Sequence, residues 1–132
     1  VGNKANAIEA NKRMLSSMTP TLVLKDKKLF MVVGTPGGTT IPTSVYQTII
    51  NVIDFGMSAK DAVNKPKFHH QWLPDEIMIE NDFNPATAQK LTEMGYTLNN
   101  IGKIGRTELI LFKDGAIHAV ADNRGDDDAR GF

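Results

Sequence analysis

Two adjacent serines are the first residues in this 132-residue chain whose types suggest chemistry. Ser16 and Ser17 lie in the stretch Leu-Ser-Ser-Met-Thr-Pro-Thr, and their hydroxyls can donate hydrogen bonds to a carboxylate. Adjacent side chains point opposite ways in an extended chain, but in a turn both hydroxyls can reach one ligand. The pair therefore suggests a carboxylate contact, with a solvated turn as the default interpretation.

A glycine-rich loop lies a short distance further along the chain. Gly37 and Gly38 belong to the stretch Gly-Thr-Pro-Gly-Gly-Thr-Thr, in which the backbone can approach a ligand closely. A helix is predicted directly after the loop, so its free N–H groups and positive dipole end would point at the loop. This arrangement favours an anion or a developing oxyanion, and a plain strand-to-helix turn is the alternative. The loop matches neither the nucleotide phosphate-loop pattern nor the dinucleotide fingerprint, and we expect no cofactor.

A histidine pair raises the possibility of a metal or acid/base site. His69 and His70 are followed by Gln71 and Trp72. Neighbouring side chains on an extended chain diverge, and no acidic residue lies at the spacing of a zinc motif. We therefore expect no metal here and interpret these residues as structural, packing against the sheet.

An acidic run near the end of the chain invites comparison with a cation site. Asp126, Asp127 and Asp128 are consecutive and lack the spaced ligands of a calcium loop. We interpret them as a solvated or salt-bridged turn near Arg124 and Arg130.

The composition limits the class of protein. The chain is long enough for one domain, and its 15 basic and 15 acidic residues balance. That balance argues against a nucleic-acid partner. No apolar run approaches the roughly 20 residues of a membrane span, and the chain has no cysteine.

The elements that must position these groups can be predicted from periodicity. They are, in chain order, strands near 22–24 and 29–33 joined by a polar turn, a helix with its apolar stripe at Ile41, Val45, Ile49, Val52 and Ile53, a short helix capped by Ser58 and Asp61, a strand at 76–80, a helix after Asn84-Pro85 carrying Ala88, Leu91 and Met94, and a hairpin turning at Asp114-Gly115. The nearly continuous apolar run at 29–33 predicts a strand buried on both faces. The whole predicts an α+β fold, with helices packed on a mainly antiparallel sheet.

Taken together, the stretches NKRMLSSMTPTLVLKD and VVGTPGGTTIPTSVYQTIINVIDFGMSAKDAVNKPKFHHQWLPDEI resemble the C-terminal part of the γ-glutamyltransferase (γ-glutamyltranspeptidase) family. The final GDDDARGF is similar to the end of that family, and the resemblance is weakest over residues 81–113. It implies an N-terminal-nucleophile hydrolase with an αββα sandwich, made as a zymogen that cleaves itself into a large and a small subunit. The new N-terminal threonine of the small subunit would attack the γ-glutamyl amide of glutathione or related compounds. The γ-glutamyl group would then pass to an amino acid, a peptide or water.

The resemblance also assigns roles to the two motifs. Ser16 and Ser17 match the serines that bind the substrate α-carboxylate, and Gly37 and Gly38 match the pair whose N–H groups form the oxyanion hole. Thr35 and Thr39 replace serines that are common in relatives, and Asn123 replaces the proline of a frequent Asp-Pro-Arg sequence.

A larger departure concerns the nucleophile. The family's Thr-Thr/Ser-His stretch precedes the serine motif, and these 132 residues contain none. The acidic residue that grips the substrate amino group is expected upstream, and the arginine that pairs with the α-carboxylate is expected in the large subunit. We therefore expect residues 1–132 to be one domain, a C-terminal fragment of the small subunit that holds half a site and is inactive alone. Bacterial relatives are mostly periplasmic or secreted, and the same is expected of the parent protein.

Three other interpretations stay open from sequence. The parent could be a β-lactam side-chain acylase or a pure γ-glutamyl hydrolase of the same family, and the serine pair favours a γ-glutamyl substrate. The chain could also be a non-catalytic anion-binding or interaction domain on the same scaffold. A truncated sandwich would expose apolar sheet surface, so self-association of the isolated chain is expected.

Overall fold

A computed structural model of the protein describes residues 4–131. The strands of this part are β1 Thr21–Lys25, β2 Lys28–Gly34, β3 Phe68–His69, β4 Ile77–Glu80, β5 Leu98–Gly102, β6 Glu108–Lys113 and β7 Ala116–Val120. The α-helices are α1 Ile41–Ile53, α2 Ala59–Asn64 and α3 Pro85–Glu93, and short 3₁₀ turns occupy Lys4–Asn6 and Gly38–Thr40. The architecture is α+β, as predicted.

The main sheet has four antiparallel strands in the order β1-β2-β6-β7. Two-residue turns close both hairpins, and each turn places its two central residues at positive φ: Asp26 and Lys27 in the first, Asp114 and Gly115 in the second. Such turns match the twist of the flanking strands. The predicted polar turn and the predicted Asp-Gly hairpin are both confirmed.

One face of this sheet carries the core. The buried apolar side chains that pack together there come from β2, β6, α1 and α2: Met31, Val33, Ile41, Val45, Val52, Ala59, Ala62, Val63, Leu109 and Leu111. Burying each larger member contributes about 1.5–3 kcal/mol. The helical stripe is confirmed except for Ile53, which is half exposed at the last position of α1.

The caps of the helices follow their sequence signals. Ser58 Oγ accepts a hydrogen bond from the Asp61 N–H at 3.1 Å, and Asn84 Oδ1 accepts one from the Thr87 N–H at 2.9 Å. Helix α3 joins the parallel strands β4 and β5 of a second, three-stranded sheet ordered β3-β4-β5. Met94, expected on the packing stripe of α3, is exposed just beyond its end.

The prediction that β2 is buried on both faces is wrong. Met31 and Val33 are buried on the helix-covered face, while Leu29 is exposed and Val32 is half-buried. The reason is that helices cover only one face of the sheet in residues 4–131. The strand register places a row of apolar side chains on the other side. We call this surface the open face, and it comprises Leu22, Leu24, Val32, Ile110, Ile117 and Ala119.

Among the helices of residues 4–131, none has the length and apolar character that a membrane crossing requires.

The open face predicts that the isolated 132-residue chain self-associates, because contiguous exposed apolar surface favours association. Leu22→Glu places a charge within the apolar row of this face, on its edge strand β1, and we expect it to shift the chain towards monomer in sedimentation velocity. Met94→Glu is the matched control, since Met94 is equally exposed (70% against 68%) but lies away from the sheet. A wild-type chain that sediments as a clean monomer at high concentration would show that the open face does not drive association.

Candidate functional site

The serine stretch and the glycine loop meet at one end of the main sheet. Strands β1 and β2 are antiparallel neighbours and Thr21 pairs with Val33, so the residues before β1 and after β2 emerge side by side. Ser17 Oγ donates a hydrogen bond to the Gly38 carbonyl oxygen at 2.5 Å. The two predicted motifs, 21 residues apart in sequence, are thus in direct contact.

The two serine hydroxyls have different partners. Ser16 Oγ accepts from the Met18 N–H at 3.2 Å, and no residue of 4–131 accepts the Ser16 hydroxyl proton. Ser17 already donates its proton to Gly38, and its own carbonyl oxygen accepts from Thr19 Oγ1 at 2.9 Å. Ser16 is exposed and Ser17 is half-buried. In this conformation Ser16 therefore has a free donor, and Ser17 has one committed to the loop.

The glycine loop presents unused backbone donors. Gly37 has φ 145° and Gly38 has φ 58°, values in the left-handed region that favours glycine. The N–H groups of both glycines lack an acceptor among the described residues, and both residues are exposed. Helix α1, 13 residues long, begins three residues later. Free N–H groups beside a helix N-terminus form a favourable place for negative charge.

A third glycine supports the loop from behind. Gly105 has φ 68°, and a Cβ at this position would lie 2.8 Å from Thr35 Oγ1. The same Thr35 oxygen accepts from the Arg106 N–H at 2.8 Å and donates to the Pro36 carbonyl. The segment 104–107 therefore packs directly against the backbone that carries the glycine pair. The sequence does not reveal this contact, because Gly102 and Gly105 in an irregular stretch predict only a turn.

A buried arginine holds that supporting segment in place. Arg124 makes a bidentate contact with Glu80, Nε and Nη2 each lying 2.6 Å from one carboxylate oxygen, and Nη1 lies 2.9 Å from Asp122 Oδ1. The remaining guanidinium N–H groups donate to the carbonyls of Val63 and Lys65, both at 3.0 Å. All five donors of the guanidinium are therefore satisfied.

The two carboxylates use their other lone pairs on backbone N–H groups. Glu80 accepts from Ile104 at 2.6 Å and from Lys67 at 2.7 Å, and Asp122 accepts from Thr107 at 2.6 Å. Ile104 and Thr107 are the two ends of the segment that supports the glycine loop. The Arg124 cluster thus fixes the segment through hydrogen bonds that charge strengthens.

The electrostatics of the cluster follow from burial and pairing. Burial alone would raise the pKa of Glu80, but hydrogen bonds from Arg124 and from two backbone N–H groups outweigh it and hold that pKa below its ordinary value. Burial would likewise lower the pKa of Arg124, and the hydrogen bonds and charge of Glu80 raise it instead. Both groups stay charged at neutral pH, so the pair remains intact.

Lys67, which lies beside the Arg124 cluster, has a charge that its surroundings destabilise. Its side chain is fully buried, and its Nζ donates to the Val63 carbonyl at 2.7 Å. Burial, followed by the positive charge of Arg124, lowers the pKa of Lys67 to about 8. The charged ammonium is therefore held at a free-energy cost at neutral pH.

The interpretation of the histidine stretch is partly confirmed. His69 is buried, with Nδ1 2.8 Å from Thr43 Oγ1 and Nε2 3.1 Å from Gln71 Oε1. His70 is exposed beside Asp75. The expectation that Trp72 packs against the sheet is wrong, because Trp72 lies in a turn with φ 74° and is 76% exposed.

The acidic run is salt-bridged, although not entirely to the expected partners. Asp128 pairs with Arg130 at 2.6 Å, as expected. Asp127 and Asp126 pair with Arg106, at 2.9 and 3.5 Å. Arg124 is not their partner, since Glu80, Asp122 and two carbonyls take all its donors.

The replacement of proline by asparagine at position 123 has a local explanation. The Asn123 N–H donates to Asn64 Oδ1 at 3.3 Å, a bond that proline could not make. Asp122 and Arg124 on either side still form the buried pair. The substitution therefore adds a contact to α2 without disturbing the cluster.

Comparisons with known proteins identify the family of this site. The family model described as Gamma-glutamyltranspeptidase matches residues 1–132. The glutathione hydrolase proenzyme of Escherichia coli (strain K12) is 45% identical over 129 residues, which cover 97% of this chain and 22% of that relative. The chain therefore spans about a fifth of the length of such curated relatives.

Two solved structures have the same fold. The γ-glutamyltranspeptidase of Pseudomonas nitroreducens in complex with L-DON superposes with a TM-score of 0.90 at 40% identity, covering 100% of this chain and 70% of that chain. A mutant γ-glutamyltranspeptidase of Helicobacter pylori gives a TM-score of 0.86 at 48% identity, covering 95% of this chain and 70% of that one. These matches confirm the predicted fold of the N-terminal-nucleophile hydrolase type.

Removing Arg124 should be severely destabilising, because it leaves two buried carboxylates unpaired. For Arg124→Met we expect a loss of about 3–5 kcal/mol in the free energy of unfolding, measured by urea denaturation. Arg130→Met is the matched control: its ion pair with Asp128 has the same 2.6 Å distance but is exposed, so the loss should stay below about 1 kcal/mol. Equal losses in the two variants would contradict the role given to the buried cluster.

Lys67 predicts a rise in stability at alkaline pH. Below about pH 8 Lys67 is protonated in both the folded and the unfolded chain. Between about 8 and the ordinary value of 10.5, the unfolded chain keeps a proton that the folded chain has released, so the free energy of unfolding increases with pH. Over this window the shift in the pKa of Lys67 adds roughly 3 kcal/mol to the free energy of unfolding.

The variant Lys67→Met tests this linkage, since the Val63 carbonyl keeps its bond from Arg124. At pH 7 we expect Lys67→Met to have a larger free energy of unfolding than wild type. This difference should shrink between about pH 8 and pH 10.5. A constant difference between the two proteins over that window would mean that Lys67 does not titrate abnormally.

Proposed function

The chain belongs to the γ-glutamyltranspeptidase family, and on this basis we propose that it forms part of an enzyme that transfers γ-glutamyl groups through an acyl-enzyme. The substrates we propose are glutathione and related γ-glutamyl amides, and the acceptors are water, amino acids or peptides. The curated relative in Escherichia coli is named a glutathione hydrolase proenzyme, which supports hydrolysis and proteolytic maturation as parts of the proposal.

One observation carries this proposal: the hydrogen bond that joins Ser17 to Gly38 beside two unused backbone N–H groups. A γ-glutamyl group has a carboxylate at one end and the scissile carbonyl at the other. A site for it needs hydroxyl donors and oxyanion donors a few ångströms apart. The contact between Ser17 and Gly38 makes the serine pair and the glycine pair neighbours, which supports this assignment.

The proposed chemistry begins when a hydroxyl attacks the γ-carbonyl carbon. The C=O π electrons move onto oxygen, and the N–H groups of Gly37 and Gly38 stabilise the resulting negative charge. Collapse of the tetrahedral intermediate expels the amine, which takes up a proton, and leaves an ester. Removal of one oxyanion donor typically costs about 2.7–4 kcal/mol in the transition state.

We propose that the attacking hydroxyl belongs to a threonine of the small subunit whose own α-amino group is the base. The threonines nearest the site, Thr19, Thr35, Thr39 and Thr40, are internal and lack such a group. In this proposal the 132 residues are one domain of the small subunit and supply the recognition and oxyanion half of the site. The nucleophile and the contacts to the substrate amino group come from elsewhere in the protein.

The serine pair is proposed to hold the substrate α-carboxylate. Ser16 can donate without giving up any bond, since its proton has no acceptor in residues 4–131. Ser17 must release the Gly38 carbonyl in order to donate to the substrate. Recognition of the carboxylate is therefore coupled to the backbone of the oxyanion loop through Ser17.

Two further features of the parent protein belong to the proposal. We propose that the open face packs against a second sheet of an αββα sandwich completed with the large subunit, because its apolar row has no cover within residues 4–131. We also propose a periplasmic or secreted location, by analogy with bacterial members of the family.

The test uses the full-length parent protein and chromophore release from a γ-glutamyl anilide. For Ser16→Ala we expect kcat/KM to fall about 10- to 100-fold, mainly through KM, because a hydrogen bond to a charged group contributes about 1.5–3 kcal/mol. For Ser17→Ala we expect kcat to fall as well, since this serine also holds the Gly38 carbonyl.

A γ-aminobutyryl anilide, which lacks the α-carboxylate, is the control substrate. On this substrate the Ser16→Ala variant and wild type should have the same low kcat/KM. An equal penalty on both substrates would refute carboxylate binding by Ser16. A parent protein that matures into two subunits yet releases no chromophore from the γ-glutamyl anilide would favour the acylase interpretation. One that neither matures nor reacts would favour a non-catalytic domain.

A further inference from the structure

We propose that Thr40 is a positioning residue that sets the direction of the oxyanion-binding N–H of Gly38. The inference rests on the proposed function and adds to it a residue behind the glycine loop. Thr40 would not touch the substrate. It would act by fixing the rotation of one peptide group.

The peptide group in question joins Gly37 to Gly38. Its carbonyl oxygen belongs to Gly37 and its N–H belongs to Gly38, and in a trans peptide the two point in opposite directions. Thr40 donates two hydrogen bonds to that oxygen, one from its backbone N–H at 3.1 Å and one from its hydroxyl at 2.9 Å. With the oxygen held from behind, the N–H of Gly38 is directed away from Thr40.

Holding this peptide matters because glycine resists rotation so little. Both flanking residues have positive φ and no side chain. A peptide flip would replace the N–H donor by a carbonyl oxygen, which would repel a developing oxyanion. The contact is also close enough to restrict the sequence, since a Cβ on Gly37 would lie 2.6 Å from Thr40 Oγ1.

The hydroxyl of Thr40 binds the Gly37 carbonyl and does not cap helix α1, although its position favours a helix cap. Thr40 is the N-cap residue of α1, yet its side chain caps no helix N–H. A threonine cap typically stabilises a helix by about 1 kcal/mol. The hydroxyl instead turns back three residues to Gly37, so this position contributes to the loop and not to the helix.

Thr40 is itself held by a chain of contacts that ends at a buried histidine. Its carbonyl oxygen accepts from Thr43 Oγ1 at 3.0 Å, and that hydroxyl lies 2.8 Å from Nδ1 of His69, which is buried at the start of the second sheet. On the other side of the loop, Ser17 holds the Gly38 carbonyl. The peptide groups before and after Gly38 are thereby both held, the first by Thr40 and the second by Ser17.

The experiment compares Thr40→Val and Thr40→Ser in the full-length parent protein, with rates expressed per mole of processed enzyme. Valine keeps the shape of threonine and removes the hydroxyl, whereas serine keeps the hydroxyl. We expect Thr40→Val to lower kcat on a γ-glutamyl anilide at least 10-fold with KM changed less than 2-fold. We expect Thr40→Ser to restore kcat to within 3-fold of wild type.

Two controls separate positioning from general damage. Thr92→Val removes a hydroxyl that also donates to a backbone carbonyl, that of Ala88 at 3.1 Å, but on α3 away from the loop; its kcat should equal that of wild type. Affinity for L-norvaline, which carries the α-amino and α-carboxylate groups of a γ-glutamyl substrate but no oxygen at the γ-carbonyl position, should be the same in Thr40→Val and wild type by calorimetry. If Thr40→Val does not fold, Thr40→Cys replaces it, and its weaker donor should give a kcat below that of Thr40→Ser.

The outcomes distinguish this inference from the proposed function. An unreactive wild-type parent would refute the proposed function, whatever Thr40 does. A reactive wild type together with an unchanged kcat in Thr40→Val, or in Thr40→Cys where that variant is used, would overturn the inference alone. So would a rise in KM without a fall in kcat, or a Thr40→Ser variant as slow as Thr40→Val.

Discussion

The buried guanidinium of Arg124 is the group on which the supports of the site depend. It lies between Glu80 on β4 and Asp122 after β7, and so joins the second sheet to the main one. Two more of its N–H groups bind carbonyls at the end of α2. Desolvating three charged groups is costly, and only complete pairing offsets the cost. Every guanidinium N–H and both carboxylates have partners, so one arrangement of these elements is strongly preferred.

That arrangement reaches the candidate site through backbone contacts. Glu80 and Asp122 fix the two ends of segment 104–107, and Gly105 within it packs behind Thr35 and the glycine loop. The loop itself is exposed and rich in glycine, so it has little intrinsic rigidity. Its geometry is imposed by the segment behind it and by the contacts of Ser17 and Thr40. An oxyanion hole needs this preorganisation, because donors that must reorient during the reaction lose much of their advantage.

The sequence was most informative where the determinants are local. Two strands joined by a polar turn were enough to bring the residues before β1 and after β2 to one end of the sheet, and hence Ser17 near Gly38. The caps at Ser58 and Asn84 and the Asp-Gly hairpin also follow from short-range rules. The Arg124 cluster could not be predicted, since its partners lie 44 and 2 residues away and no periodicity links them. The prediction that both faces of β2 are buried is wrong, because an apolar run in the sequence does not indicate whether one face of the sheet or both are covered. The contact of the Thr40 hydroxyl with the Gly37 carbonyl could not be predicted, because a threonine before a helix normally indicates a cap.

The central claim is that Gly37 and Gly38 donate to the oxyanion of a γ-glutamyl group held at its other end by the serine pair. The most direct measurement is a crystal structure of the parent protein carrying a covalent γ-glutamyl-type adduct. We predict that the oxygen derived from the γ-carbonyl lies about 2.7–3.1 Å from the backbone nitrogens of both glycines, with the α-carboxylate against Ser16. An adduct whose oxygen faces solvent or other donors, with its carboxylate away from the serines, would contradict the claim.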